Sequence, residues 1–263
     1  MNILLTNDDG IFAPGLRALL EELRSIGNVT VVAPATEQSA VGHSITLMQP
    51  LLVQEVFDEH NQRIGWGVEG RPADCVKLAI TQLLPAPPDL VVSGINAGSN
   101  AGINVLYSGT VAAAIEGAFF GITSIAVSLE YRKPPKLNFP RAAVIGRNMV
   151  EQILARNPRP GQLFNVNIPA LELGPPLGVR VAPQGIAPYD EKYDRRTDPR
   201  GRTYFWIASD VTCPPDAGES DVRDLANRFV TVTPLHFNLT DPGRLDEMQH
   251  WNWSLPPLPQ NST

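Results

Sequence analysis

The feature that most constrains the fold is a regular alternation of short apolar strands with amphipathic helices over the first two thirds of the chain. Apolar and β-branched runs typical of buried strands occur at residues 3–6, 29–33, 90–93, 124–129 and 164–168. Segments with helical spacing of apolar side chains lie between them, at residues 14–25, 72–84, 110–120 and 140–155. This alternation predicts an α/β fold, in which a mostly parallel sheet carries helices on both faces.

The pattern changes after Gly174, where prolines become frequent and helical spacing nearly disappears. Residues 203–207 and 229–233 are the clearest strand patterns in this part. We therefore predict two parts, an α/β core over residues 1–173 and a β-rich extension and tail over residues 174–263. The extension is expected in contacts between subunits, with the alternative that its last strand returns to the core.

Composition and charge exclude several classes of protein. The chain has 263 residues, a formal net charge of −6 and 43% hydrophobic residues, which is typical of a folded globular protein. The negative charge disfavours binding along a nucleic-acid polymer. No apolar run approaches the roughly 18 residues that span a bilayer, and the N-terminus lacks the basic segment of a signal peptide. We expect a cytoplasmic protein without a membrane partner.

Two adjacent carboxylates follow the first predicted strand. Asp8 and Asp9 lie at its carboxyl end, and Gly10 permits a turn that would let both side chains converge. Two ionised carboxylates at close range repel each other unless a cation lies between them. Oxygen ligands of this kind suit Mg²⁺, Mn²⁺ or Ca²⁺. The alternative is structural, an Asx turn that also caps the following helix.

A loop rich in glycine and asparagine follows the predicted strand at residues 90–93. Residues 93–104 contain three glycines and three asparagines, so the backbone can approach a ligand closely. Asn96 is the asparagine nearest to the end of the strand, and its amide oxygen could ligate a metal. The alternative is a flexible turn without a ligand.

Two hydroxyl residues and a glycine precede the alanine-rich helix at residues 110–120. Ser108, Gly109 and Thr110 would fit a phosphate, because free N–H groups and the helix dipole attract anions at a helix start. Ordinary capping of the helix is the alternative. Ser39 follows the second strand, so it faces the same crevice beyond the carboxyl ends of the strands. By itself it has the pattern of a loop serine.

Signatures of other enzyme classes are incomplete. Gly10 and Gly15 have the spacing of a P-loop, but Leu16 and Arg17 replace the lysine and hydroxyl residue that such a loop needs. No G-x-G-x-x-G segment marks a dinucleotide site. The four histidines lie apart, without metal-ligand spacing, and each one, His236 included, is more typical of a structural than of a catalytic residue.

Several of these segments together resemble the SurE (survival protein E) family of metal-dependent 5′-nucleotidases. The likeness is most specific in residues 3–11. It continues in order along nearly the whole chain, in residues 72–76, 93–104, 107–111, 165–169 and 232–235.

The resemblance implies a Rossmann-like α/β core with a β-rich extension that is exchanged between subunits in dimers or tetramers. It implies hydrolysis of nucleoside 5′-monophosphates with one divalent ion per subunit, Mg²⁺ or Mn²⁺, and an activity that can include 3′-nucleotides and polyphosphate. The metal ligands of the family correspond here to Asp8, Asp9, Ser39 and Asn96. Where the family usually has a small hydroxyl residue, this chain has Arg71, which could contact a phosphate or form a surface salt bridge.

These residues together suggest a mechanism of phosphomonoester hydrolysis. We assign catalysis to Asp8, Asp9 and Asn96, with water activated at the metal and the phosphate oxygens held by residues 108–110. Direct attack by Asp8 is the alternative, but aspartyl-phosphate enzymes use an Asp-x-Asp spacing that an adjacent pair lacks. The second functional hypothesis is a non-catalytic nucleotide-binding or sensing protein that uses the same crevice.

Overall fold

A nine-stranded mixed sheet forms the centre of the molecule, seen in a computed structural model that describes residues 1–132, 137–186, 192–207 and 218–256. The described residues form the strands β1 (Asn2–Thr6), β2 (Asn28–Pro34), β3 (Val53–Phe57), β4 (Arg63–Val68), β5 (Leu90–Ala97), β6 (Thr123–Leu129), β7 (Leu163–Ile168), β8 (Val179–Val181), β9 (Tyr193–Thr197), β10 (Thr203–Ile207) and β11 (Val230–Leu235).

The helices among these residues are α1 (Pro14–Leu23), α2 (Pro72–Leu78), α3 (Gly109–Phe119), α4 (Phe139–Leu154), α5 (Asp221–Ala226) and α6 (Pro242–Gln249). A π-helical turn at Ala79–Leu83 continues α2. In the part of the chain that the structure describes, no helix combines the length and the hydrophobicity needed to cross a lipid bilayer.

The strand order in the large sheet is β3-β4-β2-β1-β5-β6-β7-β11-β8. Strands β4, β2, β1, β5, β6 and β7 are parallel to one another, whereas β3 and β11 run antiparallel to their neighbours β4 and β7. From β1 the chain moves one way to β2 and β4, and then the other way to β5, β6 and β7. The order therefore reverses at β1, and a parallel sheet binds its ligands at such a switch point.

Each face of the sheet has its own hydrophobic core. Ile3 and Leu5 of β1 pack with residues of α1 and α4 on one face. Leu4, between them in the chain, packs with Cys75 and Val76 of α2 on the other face. Because successive side chains of a strand point to opposite faces, a run of apolar residues is needed when both faces are covered.

The structure confirms the predicted fold class, since the sheet is mostly parallel and helices cover both faces. The strands and helices predicted for the first 173 residues are present, with ends that differ by one or two residues, except that α2 ends at Leu78 and β5 continues to Ala97.

The secondary structure of the second part of the chain differs from the prediction. Besides the strands β8 to β11, this part contains the helices α5 and α6, which were not predicted. Strand β11 lies in the large sheet between β7 and β8, as in the alternative that the sequence left open. Strands β9 and β10 form a separate two-stranded sheet. The last residues of the predicted tail, 257–263, lie outside the described residues.

Candidate active site

The predicted site residues gather at the switch point of the sheet. Asp8 and Asp9 follow β1, and Asn96 lies near the end of the neighbouring strand β5. A bulge between Gly94 and Asn96 interrupts the pairing of β5 with β6, which resumes at Asn96 and Ala97. The loops that follow β2 and β4 emerge at the same edge, because these strands run parallel to β1.

Asp8 is buried against the start of α3. Its carboxylate oxygen Oδ1 accepts a hydrogen bond of 2.5 Å from the Thr110 hydroxyl. Gly109 allows this approach, because a Cβ atom on it would lie 2.8 Å from Asp8 Cβ. Burial raises the pKa of Asp8, while the Thr110 hydroxyl and the amides of Gly109 and Thr110 act in the opposite direction. Asp8 therefore lies at the mouth of the helix that was predicted to hold a phosphate.

Asp9 is half-buried beside Asp8. Its Oδ2 atom accepts a hydrogen bond of 3.2 Å from the amide of Ala97, at the end of β5. Burial, the charge of Asp8 and the charge of Glu37 raise the pKa of Asp9 to about 6, and the Ala97 amide opposes this rise. In the part of the chain that is described, no basic side chain lowers the pKa of either aspartate. The two acids therefore lie close enough to repel each other, and no basic side chain among the described residues offsets this repulsion.

Asn96 and Ser39 are placed at the same edge but differ in their contacts. The Asn96 side-chain nitrogen donates to the carbonyl of Gly98 at 2.7 Å, which leaves its amide oxygen without a donor among the described residues. The Ser39 hydroxyl donates to Glu37 at 2.6 Å. Its neighbour Gln38 is tied to the site, since the Gln38 amide donates to the Asp8 carbonyl at 2.8 Å. The role of Ser39 as a metal ligand stays a prediction.

The hydroxyl groups at the start of α3 have partners within the protein. Ser108 is the N-cap of the helix, and its Oγ atom accepts from the amide of Val111 at 3.1 Å. The Thr110 hydroxyl donates to Asp8, as described above. The capping alternative is therefore present, whereas the binding of a phosphate by residues 108–110 stays a prediction.

The loop after β2 crosses the front of the site and is fastened to it at several points. The Gly42 amide donates to the Tyr107 carbonyl at 2.9 Å. His43 Nε2 lies 2.8 Å from Glu116 Oε1 on α3, and Lys77 Nζ lies 3.3 Å from the other carboxylate oxygen. Burial alone would raise the pKa of Glu116, but the hydrogen bond from His43 and the charge of Lys77 hold it below its usual range.

The sequence did not reveal that His43 has this partner, because nothing in a single sequence pairs residues 73 positions apart. His236 has no place at the site. It follows Leu235 of β11, which pairs with Leu163 at the amino end of β7, and so it emerges at the opposite edge of the sheet.

Residues from two later parts of the chain fix the glycine- and asparagine-rich loop. The amide of Asn100 donates to Asn167 Oδ1 at 2.8 Å, and its carbonyl accepts from Asn165 Nδ2 at 2.7 Å. The Gly102 amide donates to Asp221 Oδ2 at 3.0 Å, and Asp221 Oδ1 accepts from the Gly185 amide at 2.8 Å. Sequence reasoning missed Asp221, since its pattern after Ser220 indicates no more than a helix start.

The donor atoms at this edge fit a hard divalent cation. The set consists of two carboxylates, whose charge no basic side chain among the described residues balances, and the available amide oxygen of Asn96. Mg²⁺ and Mn²⁺ prefer oxygen ligands of this kind. Nowhere in the described residues do three or more His, Cys, Asp or Glu side chains come together as a possible metal site. A cation here would therefore be bound by the two aspartates together with neutral oxygen atoms.

The chain is similar to proteins of known name along nearly its whole length. The family model described as "Survival protein SurE" matches residues 3–191. A 5′-nucleotidase SurE from Rhodopirellula baltica is 53% identical over 253 residues, which are 96% of this chain and 99% of the relative. Another, from Heliobacterium modesticaldum, is 46% identical over 95% of this chain and 92% of its own. A crystal structure of the SurE protein from Aquifex aeolicus aligns with a TM-score of 0.81 at 38% identity, covering 95% and 98% of the two chains.

Proposed function

Since the chain belongs to the SurE family, we propose that it is a 5′-nucleotidase that hydrolyses nucleoside 5′-monophosphates to a nucleoside and inorganic phosphate. The observation that carries the proposal is the convergence of Asp8 and Asp9 at the switch point of the sheet, beside the mouth of α3. A protein that only binds a phosphate anion has little use for two unbalanced negative charges next to it. A phosphatase that needs a cation has a use for them, because the two carboxylates bind the cation.

The proposed cofactor is one divalent ion per subunit, Mg²⁺ or Mn²⁺, bound by Asp8, Asp9, Ser39 and Asn96. The Ser39 hydroxyl donates its hydrogen to Glu37, so the lone pairs of its oxygen stay available for the ion. When bound, such an ion acts as a Lewis acid toward a phosphate oxygen and lowers the pKa of a coordinated water.

The residues of the chain supply orientation and proton transfer. Thr110 holds Asp8 in place through its hydroxyl. We propose that the amides of Gly109 and Thr110, which act on the Asp8 carboxylate in this structure, also donate to phosphate oxygens of the substrate. We propose that Asp9, a carboxylate beside the attacking water, orients this water or accepts its proton. Since the adjacent aspartates lack the Asp-x-Asp spacing of aspartyl-phosphate enzymes, we favour water over Asp8 as the nucleophile.

The test is phosphate release from AMP and GMP, with and without Mn²⁺, by the intact chain and by Asp9→Asn. We expect release with the ion, and a loss of about a hundredfold or more in kcat for the variant, because general base and ligand are removed together. Asp246→Asn, on the exposed face of α6, is the charge-matched control and should keep full activity. Nucleotide binding without release in any divalent ion would favour the non-catalytic hypothesis.

Phosphate release from 3′-nucleotides and polyphosphate in the same assay measures whether the substrates extend beyond nucleoside 5′-monophosphates. We propose that residues 174–263 join copies of the chain into a dimer or tetramer, which the exposed apolar side chains of β10 support. We also propose that the enzyme works in the cytoplasm on free nucleotides.

A further inference from the structure

Arg71 lies at the rim of the candidate active site, between the end of β4 and the start of α2. The next residue, Pro72, packs against the mouth of α3, since a Cβ atom on Gly109 would lie 3.0 Å from Pro72 Cγ. The same point lies 2.8 Å from Asp8 Cβ. Arg71 therefore borders the site from the side of α2, because the residue after it, Pro72, packs against the start of α3, where the phosphate is proposed to bind.

The Arg71 side chain points along this rim toward the loop after β2, which carries Gln38 and Ser39. Its Nη1 atom donates to Gln38 Oε1 at 2.5 Å. The amide of the same glutamine donates to the Asp8 carbonyl at 2.8 Å, and the next residue is Ser39. Among the described residues no carboxylate pairs with Arg71, so a positive charge with four further N–H donors is held by one neutral amide.

This arginine is a poor choice for the stability of α2. Arg71 is the N-cap residue, and its guanidinium has donors only, so it cannot accept a hydrogen bond from the first helical amides. Its positive charge also opposes the helix dipole at this end. Asp74 compensates in part, because its Oδ2 atom accepts from the Arg71 amide at 2.8 Å. A residue that is unfavourable at the start of a helix, and that forms no contact in return that stabilises the helix, is expected to serve a function.

We infer that Arg71 binds the phosphate group of the substrate, by exchanging its bond to Gln38 for two bonds to phosphate oxygens. The inference rests on the proposed function and deepens it. Asp8, Asp9 and Glu37 all repel a dianion at this edge, and Arg71 is the cation placed to offset them. A bidentate contact between guanidinium and phosphate is stronger than a bond to a neutral amide, so the exchange is favourable.

The test measures substrate affinity and folding stability in four variants. Arg71→Thr removes the charge and supplies a good N-cap, and Arg71→Lys keeps the charge but loses the planar fork. Gln38→Ala removes the tether alone. Arg24→Thr is the control, because this exposed arginine is the C-cap of α1, near the start of β2 at the amino edge of the sheet, and is paired with Glu21.

For Arg71→Thr we expect KM for AMP, and the inhibition constant of inorganic phosphate with Mn²⁺, to rise roughly tenfold or more, with kcat changed less than about twofold. The melting temperature should stay equal or rise, and Mn²⁺ binding without phosphate should be unchanged. The KM and the phosphate inhibition constant of Arg71→Lys should lie between those of Arg71→Thr and of the unchanged protein. Gln38→Ala and Arg24→Thr should keep the KM of the unchanged protein.

Two outcomes would overturn the inference. Equal KM and phosphate inhibition in Arg71→Thr would make Arg71 a surface residue. The same rise in KM in Gln38→Ala would mean that Arg71 acts through the loop that carries Ser39. If the unchanged protein hydrolyses no nucleotide, the proposed function fails, but titration with inorganic phosphate and Mn²⁺ still decides whether Arg71 binds the anion.

Discussion

Gly109 is the residue on which the approach of α3 to Asp8 depends. A side chain at this position would meet Asp8 Cβ at 2.8 Å and Asp8 Oδ2 at 3.0 Å, with Pro72 closing the third side. The closest of these atoms, Asp8 Cβ, is attached directly to the backbone, so it cannot move away cheaply. The hydrogen bond between Thr110 and Asp8 therefore requires a glycine one residue before it.

We expect Gly109→Ala to push the helix mouth away from Asp8. The overpacked contact should lower the free energy of unfolding by about 1–3 kcal/mol and reduce nucleotide hydrolysis strongly. Urea denaturation and phosphate release measure the two effects. The matched control is Gly243→Ala in α6, where a Cβ meets nothing closer than 3.5 Å and the helix should gain up to about 1 kcal/mol. Full activity in Gly109→Ala would contradict this account.

The composition of the site was predictable from the sequence to the extent that it depends on strand ends. Asp8 and Asp9 follow β1, Asn96 lies at the carboxyl end of β5, and the carboxyl ends of parallel strands meet at one edge. Their partners were not predictable in the same way. Ser39 bonds Glu37, and Asp221 reaches the loop at Gly102, through contacts that leave no periodic or local pattern.

At the scale of elements, α3 is held at both ends. Its start faces Asp8, and one turn before its end Glu116 bonds His43 of the loop after β2 and Lys77 of α2. Glu116 is buried, so its charge is stable there only because these two groups compensate the loss of water. The three side chains join three elements around the site.

The lowered pKa of Glu116 makes this junction sensitive to acid. Its folded pKa is below the usual value of 4.5, so its contribution to stability is full above that value and is lost as the pH falls through the folded pKa. We expect Glu116→Gln to lower the free energy of unfolding by about 1–3 kcal/mol at pH 7. The difference from the unchanged protein should shrink as the pH falls below 4.5 and through the lower folded pKa of Glu116.

Urea denaturation of both proteins at a series of pH values measures this difference. Glu59→Gln is a suitable control, because Glu59 is exposed and contacts His60 next to it in the chain. A difference between Glu116→Gln and the unchanged protein that stays constant with pH would show that the charge of Glu116 does not matter.

Elements with strong apolar periodicity were predictable, and those with weak patterns were not. Strand β4 contains two glycines, which are unfavourable in strands. Gly65 is needed there, since a Cβ atom on it would lie 2.2 Å from the carbonyl of Val31 in β2. Helix α5 has six residues, too few for a visible period, and α6 buries no residue among those described, so neither carries the apolar stripe that predicts a helix.

On the scale of the whole molecule, the second part of the chain has two different relations to the first. Strands β8 and β11 extend the large sheet and are part of the same body. Strands β9 and β10 pair with each other, and all their residues are exposed. The aromatic residues on β10 are Tyr204, Phe205 and Trp206, and a run of exposed aromatic side chains is typical of an association surface.

We therefore expect Trp206→Ser to weaken self-association while the fold is kept. Trp206 is 61% exposed, so its loss removes little packing within one chain. Sedimentation equilibrium over a range of concentrations gives the mass, and circular dichroism reports the fold. Val144→Ser, an exposed apolar residue of α4 in the first part, is the control and should not change the mass. An unchanged mass in Trp206→Ser would argue against assembly through β10.

The bond between Asp221 and the loop at Gly102 has a consequence for biosynthesis. The two residues are 119 positions apart, so a ribosome completes the asparagine-rich loop long before it adds the acid that fastens it. Until that later segment emerges, the loop lacks one of its anchors even when the first seven strands have folded. A nascent chain thus acquires all the anchors of this loop only after residue 221 has emerged, and chains released before that point should carry a less firmly held loop.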